Sequence, residues 1–401
     1  MHSAVEAKTV TDFSSEEKSF QLQLILELTQ SVNHNASAEA LFLRYRELLD
    51  EHLRIDKYIV CTYQGRWVVA FDKNVGIEED FLTTIDAYKQ STILENHALF
   101  RYAISVNHKE QPLAVILASK PFNESLGSDK DILSFLQTVS NIILLAVENK
   151  RLFKKELERL QYDKELELAS KVQNMLLPAQ LPKNSLYEFS GKYLPFKGIG
   201  GDYYDVIHIS KNEFVFCIAD ISGKGVAAAL VMANIQAYLN AATAYFKTLE
   251  DLVFKLNKKV FSITKGDGFI TLFIAKYNIL TKELQYINAG HTPPMMAGND
   301  SIYLLEKGCT LLGVFEYIPT LDSETLILQD NSLIFCYTDG LTELMNTDGL
   351  PYGSERLYDF VQNNKNLATT QFNKLLFEDL AKFRGENQFD DDISVLSGRF
   401  F

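Results

Sequence analysis

The chain has 401 residues, 47% of them hydrophobic, and a formal net charge of −13. A single core does not grow to that size, so two domains of roughly 100–200 residues and a connector are expected. The acidity argues against nucleic acid as a general partner; with no signal-peptide pattern in Met1–Glu6 and no apolar run near the roughly 20 residues of a bilayer span, a soluble cytoplasmic protein is expected.

Residues 1–18 are polar and read as a flexible tail. From Phe20 onward Leu22, Ile25, Leu26 and Leu28 return at helical spacing, and a second helical run follows through Leu41, Tyr45, Leu48 and Leu49. Strand patterns come next at Tyr58–Tyr63, Trp67–Phe71, Tyr102–Val106 and Leu113–Ala118, the first two joined by the turn Gln64-Gly65-Arg66. A long amphipathic stretch from Asp131 through Ile142, Ile143, Leu145 and Val147 closes a domain over residues 19–148. This helix–helix–sheet–helix order resembles a GAF domain, an α/β sensory fold that serves small ligands and dimerisation. The resemblance rests on element order alone. It implies a small-molecule or protein signal, and packing without any ligand is the alternative.

Residues 149–182 form a charged linker, free of Gly and Pro up to Leu177, in which Phe153, Leu157, Leu160, Lys164, Leu168, Val172 and Met175 mark a seam. The seam steps are 4, 3, 4, 4, 4 and 3 residues, a stutter that locally unwinds a coiled coil. A parallel homodimer stalk is the functional reading, and a lone helix lying on a domain is the other. Pro178 and Pro182 end the helix.

From 183 to 401 strands surround few helices. Helices are predicted at Ala227–Tyr245, Leu249–Ile263 and Thr370–Phe383, and strands at Phe269–Tyr277, Glu283–Asn288, Leu326–Leu328, Leu333–Tyr337 and Ile393–Ser397. Regular βα alternation is missing, so the fold class is α+β. Cys61, Cys217, Cys309 and Cys336 have no C-x-x-C spacing and read as buried thiols.

Four aspartates sit where strand patterns break into turns: Asp202 in Gly200-Gly201-Asp202-Tyr203-Tyr204-Asp205, Asp220 in Ala219-Asp220-Ile221-Ser222-Gly223-Lys224-Gly225, Asp339 in Tyr337-Thr338-Asp339-Gly340, and Asp391 in Asp390-Asp391-Asp392-Ile393-Ser394. Carboxylates at the ends of buried strands repel one another unless protonated or neutralised by cations. All-oxygen ligands favour Mg²⁺ or Mn²⁺, and no Cys or His cluster competes.

Together with Asn288-Ala289-Gly290-His291-Thr292-Pro293-Pro294 and Glu343, these motifs resemble, in order and over about 215 residues, the SpoIIE/RsbU-like branch of the PPM family of metal-dependent Ser/Thr protein phosphatases. The segment Leu168–Pro178 is similar to the helix that precedes the phosphatase domain in that branch and is implicated there in switching. The resemblance implies an α-β-β-α sandwich over 183–401 and two divalent cations. It also implies that Asp220 bridges both ions, with the backbone carbonyl of Ile221 as a further ligand, that Asp202 holds one ion, and that Asp339 and Asp391 hold the other. A metal-activated water would then hydrolyse phosphoserine or phosphothreonine on a regulatory protein. The branch's usual substrate is a STAS-domain anti-sigma-factor antagonist. Control would come from the N-terminal sensor through the dimeric helical linker.

Asp205 and Asp392 read as turn-formers or hydrogen-bond acceptors, His291 as a loop brace, and Lys224 either as a phosphate contact or as a solvated turn residue. The sequence departs from eukaryotic relatives, where a histidine follows in an Asp-Gly-His loop; here Ile221-Ser222 follow Asp220. A catalytically silent sensor or scaffold is the alternative from another class. A nucleotidyl cyclase is excluded, because Tyr203-Tyr204 follow Gly-Gly-Asp where Glu-Phe would be needed.

Overall fold

The computed structural model describes residues 2–76, 81–88, 90–108, 111–122, 127–196, 198–298 and 301–401, with the backbone alone for 2–17. The chain divides into two compact units, Met1–Gln161 and Tyr162–Phe401.

In the first unit the elements are α1 (His2–Asn33), α2 (Ala38–Glu47), β1 (Tyr58–Tyr63), β2 (Trp67–Lys73), α3 (Phe81–Thr84), β3 (Thr92–Ile93), β4 (Tyr102–His108), β5 (Gln111–Ala118) and α4 (Asp129–Asn174). The backbone is thus helical over 2–18, where composition alone suggested a tail; the side chains of 2–17 lie outside the described residues. The strands form one antiparallel sheet in the order β2-β1-β5-β4-β3. One face of it packs Tyr58, Val60, Ile104 and Ile116 against Leu41, Tyr45, Leu136, Val139 and Ile143 of α2 and α4. The opposite face carries a smaller cluster around Ile59, Cys61, Phe100 and Leu117.

Two features of α4 bear on the sequence reading. The helix runs unbroken from Asp129 to Asn174, so the linker continues the last helix of the first unit. Nothing between Asn149 and Asn174 interrupts an i→i−4 ladder, since neither Gly nor Pro occurs there. By length and composition α4 also qualifies as a membrane span, with one 18-residue window of mean hydropathy 1.4. Its apolar residues Ile132, Phe135, Leu136, Val139 and Ile143 are accounted for by the sheet they cover.

The second unit contains β6 (Tyr187–Leu194), β7 (Tyr203–His208), β8 (Glu213–Ile221), α5 (Val226–Ala242), α6 (Leu249–Thr264), β9 (Ile270–Asn278), β10 (Glu283–Ala289), β11 (Met295–Ala297), β12 (Ile302–Leu304), β13 (Gly308–Cys309), β14 (Glu324–Ile327), β15 (Ser332–Tyr337), α7 (Asp339–Thr342), α8 (Ser354–Asn364), α9 (Thr369–Arg384) and β16 (Ile393–Phe400). They build two sheets, β13-β10-β9-β8-β7 with β14 also on β10, and β12-β11-β15-β16-β6. The inner faces meet in an aromatic core of Phe189, Phe214, Phe216, Phe273, Tyr277 and Phe400. Outside the first sheet lie α5 and α6, through Met232, Ile235, Leu239, Leu252, Leu256 and Val260. Outside the second lie α8 and α9, through Leu357, Val361, Phe372 and Leu376. This is the α-β-β-α sandwich expected from the sequence. Cys61, Cys217 and Cys336 are buried free thiols, and Cys309 is half-buried.

Candidate active site

The strand registers bring the four aspartates to one end of the sandwich. Antiparallel pairing sets Tyr203 opposite Ala219, so Asp202, just before β7, lies beside Asp220 near the end of β8. In the other sheet Tyr337 pairs with Val395, and the Thr338 N–H donates to the Ser394 carbonyl at 3.1 Å, which carries Asp339 and Asp391 to the same end. Thr338 ties the two sheets together. Its hydroxyl donates to Asp202 Oδ2 at 2.9 Å and accepts from the Ser394 N–H at 2.9 Å. Gly340 allows the turn after Thr338 to close, because a Cβ there would stand 2.1 Å from the Asp392 carbonyl oxygen.

Charge accumulates at this end. Asp202 is almost fully buried, and burial followed by the charges of Asp220 and Asp392 pushes its carboxyl well above the usual range. Burial, then Asp339, Asp391 and Asp392, raises Asp220 to about 7. Burial also raises Asp339, with Asp391 adding to it, and burial raises Asp392 despite the donors it receives. Among the described residues, Lys224 faces the group: its Nζ lies 2.9 Å from Asp391 Oδ2 and donates to the Asp390 carbonyl at 3.0 Å. A cluster of like charges with so little compensation is unfavourable by itself, and divalent cations on its oxygens would relieve it.

Among the described residues, no three His, Cys, Asp or Glu side chains converge as a preformed metal cage. The physical reason is visible in the partners each carboxylate takes. Asp391 turns toward Lys224 and Asp202 toward Thr338, while Asp392 accepts from the Phe196 N–H at 2.8 Å and the Gly201 N–H at 3.0 Å. The donor set nevertheless fits hard divalent ions in chemistry: it is all oxygen, strongly anionic and gathered on strand ends.

The remaining residues singled out in the sequence take other positions. Asp205 accepts from its neighbour's hydroxyl, Tyr203 Oη, at 2.7 Å and from the Val206 N–H at 2.7 Å, so its oxygens are engaged within β7. His291 is buried; its N–H donates to Asn288 Oδ1 at 2.7 Å, and Nδ1 lies 2.7 Å from the Thr271 hydroxyl. Burial lowers its ring to about 4, which keeps it neutral near pH 7. Lys224 lies 5.4 Å above the Phe196 ring as well as on Asp391.

Two residues reveal roles that sequence reasoning did not give them. In the sequence Thr338 reads as part of a turn, yet its hydroxyl holds Asp202. Gln173, near the end of α4, is buried, and its carboxamide makes a matched pair of bonds with one residue: Nε2 donates to the Gly200 carbonyl at 2.6 Å and Oε1 accepts from the Gly200 N–H at 3.2 Å. Gly200 cannot carry a side chain, since its Cβ would fall 1.6 Å from Asp392 Oδ2. The helix end thus reaches the turn that carries Asp202. Glutamine is usually an exposed residue, so the sequence carried no signal for its burial.

Comparison with known proteins finds relatives for the C-terminal unit. Residues 210–401 match the family model described as stage II sporulation protein E (SpoIIE). The match begins after Asp202 and Asp205 and takes in Asp220, Asp339 and Asp391. The chain is 26% identical over 237 residues to the phosphoserine phosphatase RsbU of Bacillus subtilis (strain 168), covering 58% of this chain and 69% of that protein. It is 23% identical over 240 residues to the phosphoserine phosphatase RsbP of the same strain, covering 58% of this chain and 57% of that protein. Among solved structures, the SiaA-PP2C domain of Pseudomonas aeruginosa superposes with a TM-score of 0.54 at 18% identity, over 61% of this chain and 99% of that domain, a likeness of fold.

Proposed function

We propose that this chain, whose C-terminal unit is a SpoIIE/RsbU-like phosphatase domain of the PPM type, hydrolyses phosphoserine or phosphothreonine on a regulatory protein with the help of divalent metal ions. The observation that carries this reading is the gathering of Asp202, Asp220, Asp339 and Asp391 at one end of the sandwich, where burial and the neighbouring carboxylates raise Asp220 to about 7. In this reading two ions, Mn²⁺ or Mg²⁺, would be held there by Asp220, with the Ile221 backbone carbonyl as a further ligand, by Asp202 for one ion, and by Asp339 and Asp391 for the other. Bound there, the ions supply an activated water and neutralise the phosphoryl oxygens. The protein's own groups set the frame: Thr338 orients Asp202, the N–H groups of Phe196 and Gly201 fix Asp392, and Lys224 provides positive charge beside Asp391.

The phosphoprotein is a STAS-domain anti-sigma-factor antagonist in this reading, and the protein acts in the cytoplasm. The exposed apolar residues Phe153, Leu157, Leu160, Leu168, Val172 and Met175 along and just beyond α4 support a homodimer through that helix. The paired bonds between Gln173 and Gly200 support control of the site by the first unit, whose GAF-like sheet serves as the sensor.

Incubation of the full chain with Mn²⁺ and a serine-phosphorylated STAS protein from the same organism should release inorganic phosphate, and EDTA should stop it. If neither that protein nor p-nitrophenyl phosphate is hydrolysed, the silent-scaffold reading replaces this one.

A further inference from the structure

Val314, Phe315, Glu316 and Tyr317 are consecutive and exposed, with Val314 38%, Phe315 49% and Tyr317 74% accessible. A run of exposed large apolar residues is costly in solubility unless it serves contact. Here the exposed run is also held rigidly. Asn257 of α6 is 2% accessible, and its carboxamide spends every bond on this loop: Nδ2 donates to the Phe315 carbonyl at 3.0 Å and the Glu316 carbonyl at 3.1 Å, and Oδ1 accepts from the Gly313 N–H at 2.8 Å. A buried amide so used fixes the backbone while leaving Phe315 and Tyr317 in water.

The loop's position gives the exposure a purpose. Ile221, next to Asp220, pairs with Ile270, and Ile270 exchanges two backbone bonds of 2.9 Å with Leu312, the residue before Gly313. The loop therefore begins two strand spacings from the aspartate end, about 10 Å away. Between them Ser222 is bonded to the Phe269 backbone at 2.9 Å through both its N–H and its hydroxyl, and Phe269 and Val226 add further exposed apolar surface. A protein interface of standard size covers about 800 Å² per partner, a patch about 16 Å in radius. A patch of that size centred on the aspartates reaches the start of this loop.

We propose that Val314, Phe315 and Tyr317, held by Asn257, are a docking surface for the folded body of the phosphoprotein substrate, received by an apolar patch beside its phosphorylated residue. The inference rests on the phosphatase reading above. It assigns recognition to a surface separate from the groups that act on phosphate.

The test compares three probes with Mn²⁺: p-nitrophenyl phosphate, a short phosphoserine peptide copied from a phosphorylated STAS protein of the same organism, and that whole phosphoprotein. The double variant Phe315→Ser, Tyr317→Ser should raise KM for the whole phosphoprotein about 10- to 100-fold. Turnover of the peptide and of p-nitrophenyl phosphate should stay within about twofold of the unaltered enzyme. Asn257→Ala, which frees the loop, should move KM for the phosphoprotein in the same direction. An unchanged KM for the phosphoprotein in the double variant, with p-nitrophenyl phosphate still hydrolysed, overturns the docking surface and leaves the phosphatase intact. Equal losses on the peptide overturn it as well, because the loop would then read only the residues around the phosphoserine. Failure of the unaltered enzyme on all three probes rejects the phosphatase reading itself.

Discussion

Each unit of this protein places carboxylates near strands, and treats them in opposite ways. In the first unit Asp129 opens α4 and receives Arg101 Nε at 3.1 Å, Arg101 Nη2 at 2.5 Å and the Tyr102 hydroxyl at 2.8 Å. The Arg101 guanidinium holds that carboxyl below its usual range. In the second unit Asp202, Asp220, Asp339 and Asp392 are pushed upward by burial and by neighbouring aspartates, and among the described residues Lys224 pairs with Asp391 beside them. A carboxylate kept for architecture is given its partner within the fold, whereas a group of carboxylates left short of partners is available to something from outside.

The sharpest way to break this contrast is to neutralise one member of each set. Asp220→Asn should lower Mn²⁺-dependent turnover of p-nitrophenyl phosphate at least about 10³-fold. It should also stabilise the metal-free protein, by on the order of 1–2 kcal/mol in urea unfolding, because one of the repelling charges is gone. A loss of stability instead would mean that the cluster is not strained by its own charge. Asp129→Asn should do the reverse, with p-nitrophenyl phosphate turnover retained and stability reduced by about 1 kcal/mol, since both partners of that ion pair are partly in solvent.

The smallest effect sharpens the same comparison through pH. The Asp220 carboxyl lies at about 7 in the fold, against an ordinary 3.8, so the folded chain binds the proton more tightly than the unfolded one. Its contribution to stability is therefore lost as pH rises from about 4 to 7 and changes no further above that. The buried ring of His291, lowered to about 4, works the other way, removing stability as pH falls below its ordinary 6.5. Measuring the Tm of the metal-free protein against Asp220→Asn cancels the histidine. The advantage of the variant should grow between pH 5 and 7, level off above, and close when Mn²⁺ is added. A constant difference across that range would remove Asp220 as the titrating group.

Much of this was legible in the sequence because the signals were local. The strand patterns at Tyr58–Tyr63, Leu113–Ala118 and Leu333–Tyr337 are continuous apolar or alternating runs, and the strands lie on them to within a residue or two. The aspartate turns carried their own punctuation in Gly200-Gly201 and Gly340. What escaped depends on residues far apart in the chain. β7 was missed because Asp205 and His208 interrupt its apolar character, although the Tyr203 hydroxyl supplies Asp205 with a partner. The helix Ser354–Asn364 was missed because it has few apolar positions, of which Leu357 and Val361 are the buried pair. The partners that Lys224 and Thr338 give to Asp391 and Asp202 could not be foreseen either, because each joins two motifs far apart in the chain.

The bond pair between Gln173 and Gly200 has the form of a single rung of β-ladder in which a side-chain amide replaces the second strand. One consequence is a built-in reporter. While the carboxamide is seated, the Gly200 amide proton is shielded from solvent exchange, and when the end of α4 lifts it is released. Isotope exchange at that one amide would follow the helix engaging and leaving the Asp202 turn in real time, with no substrate present and no turnover to measure.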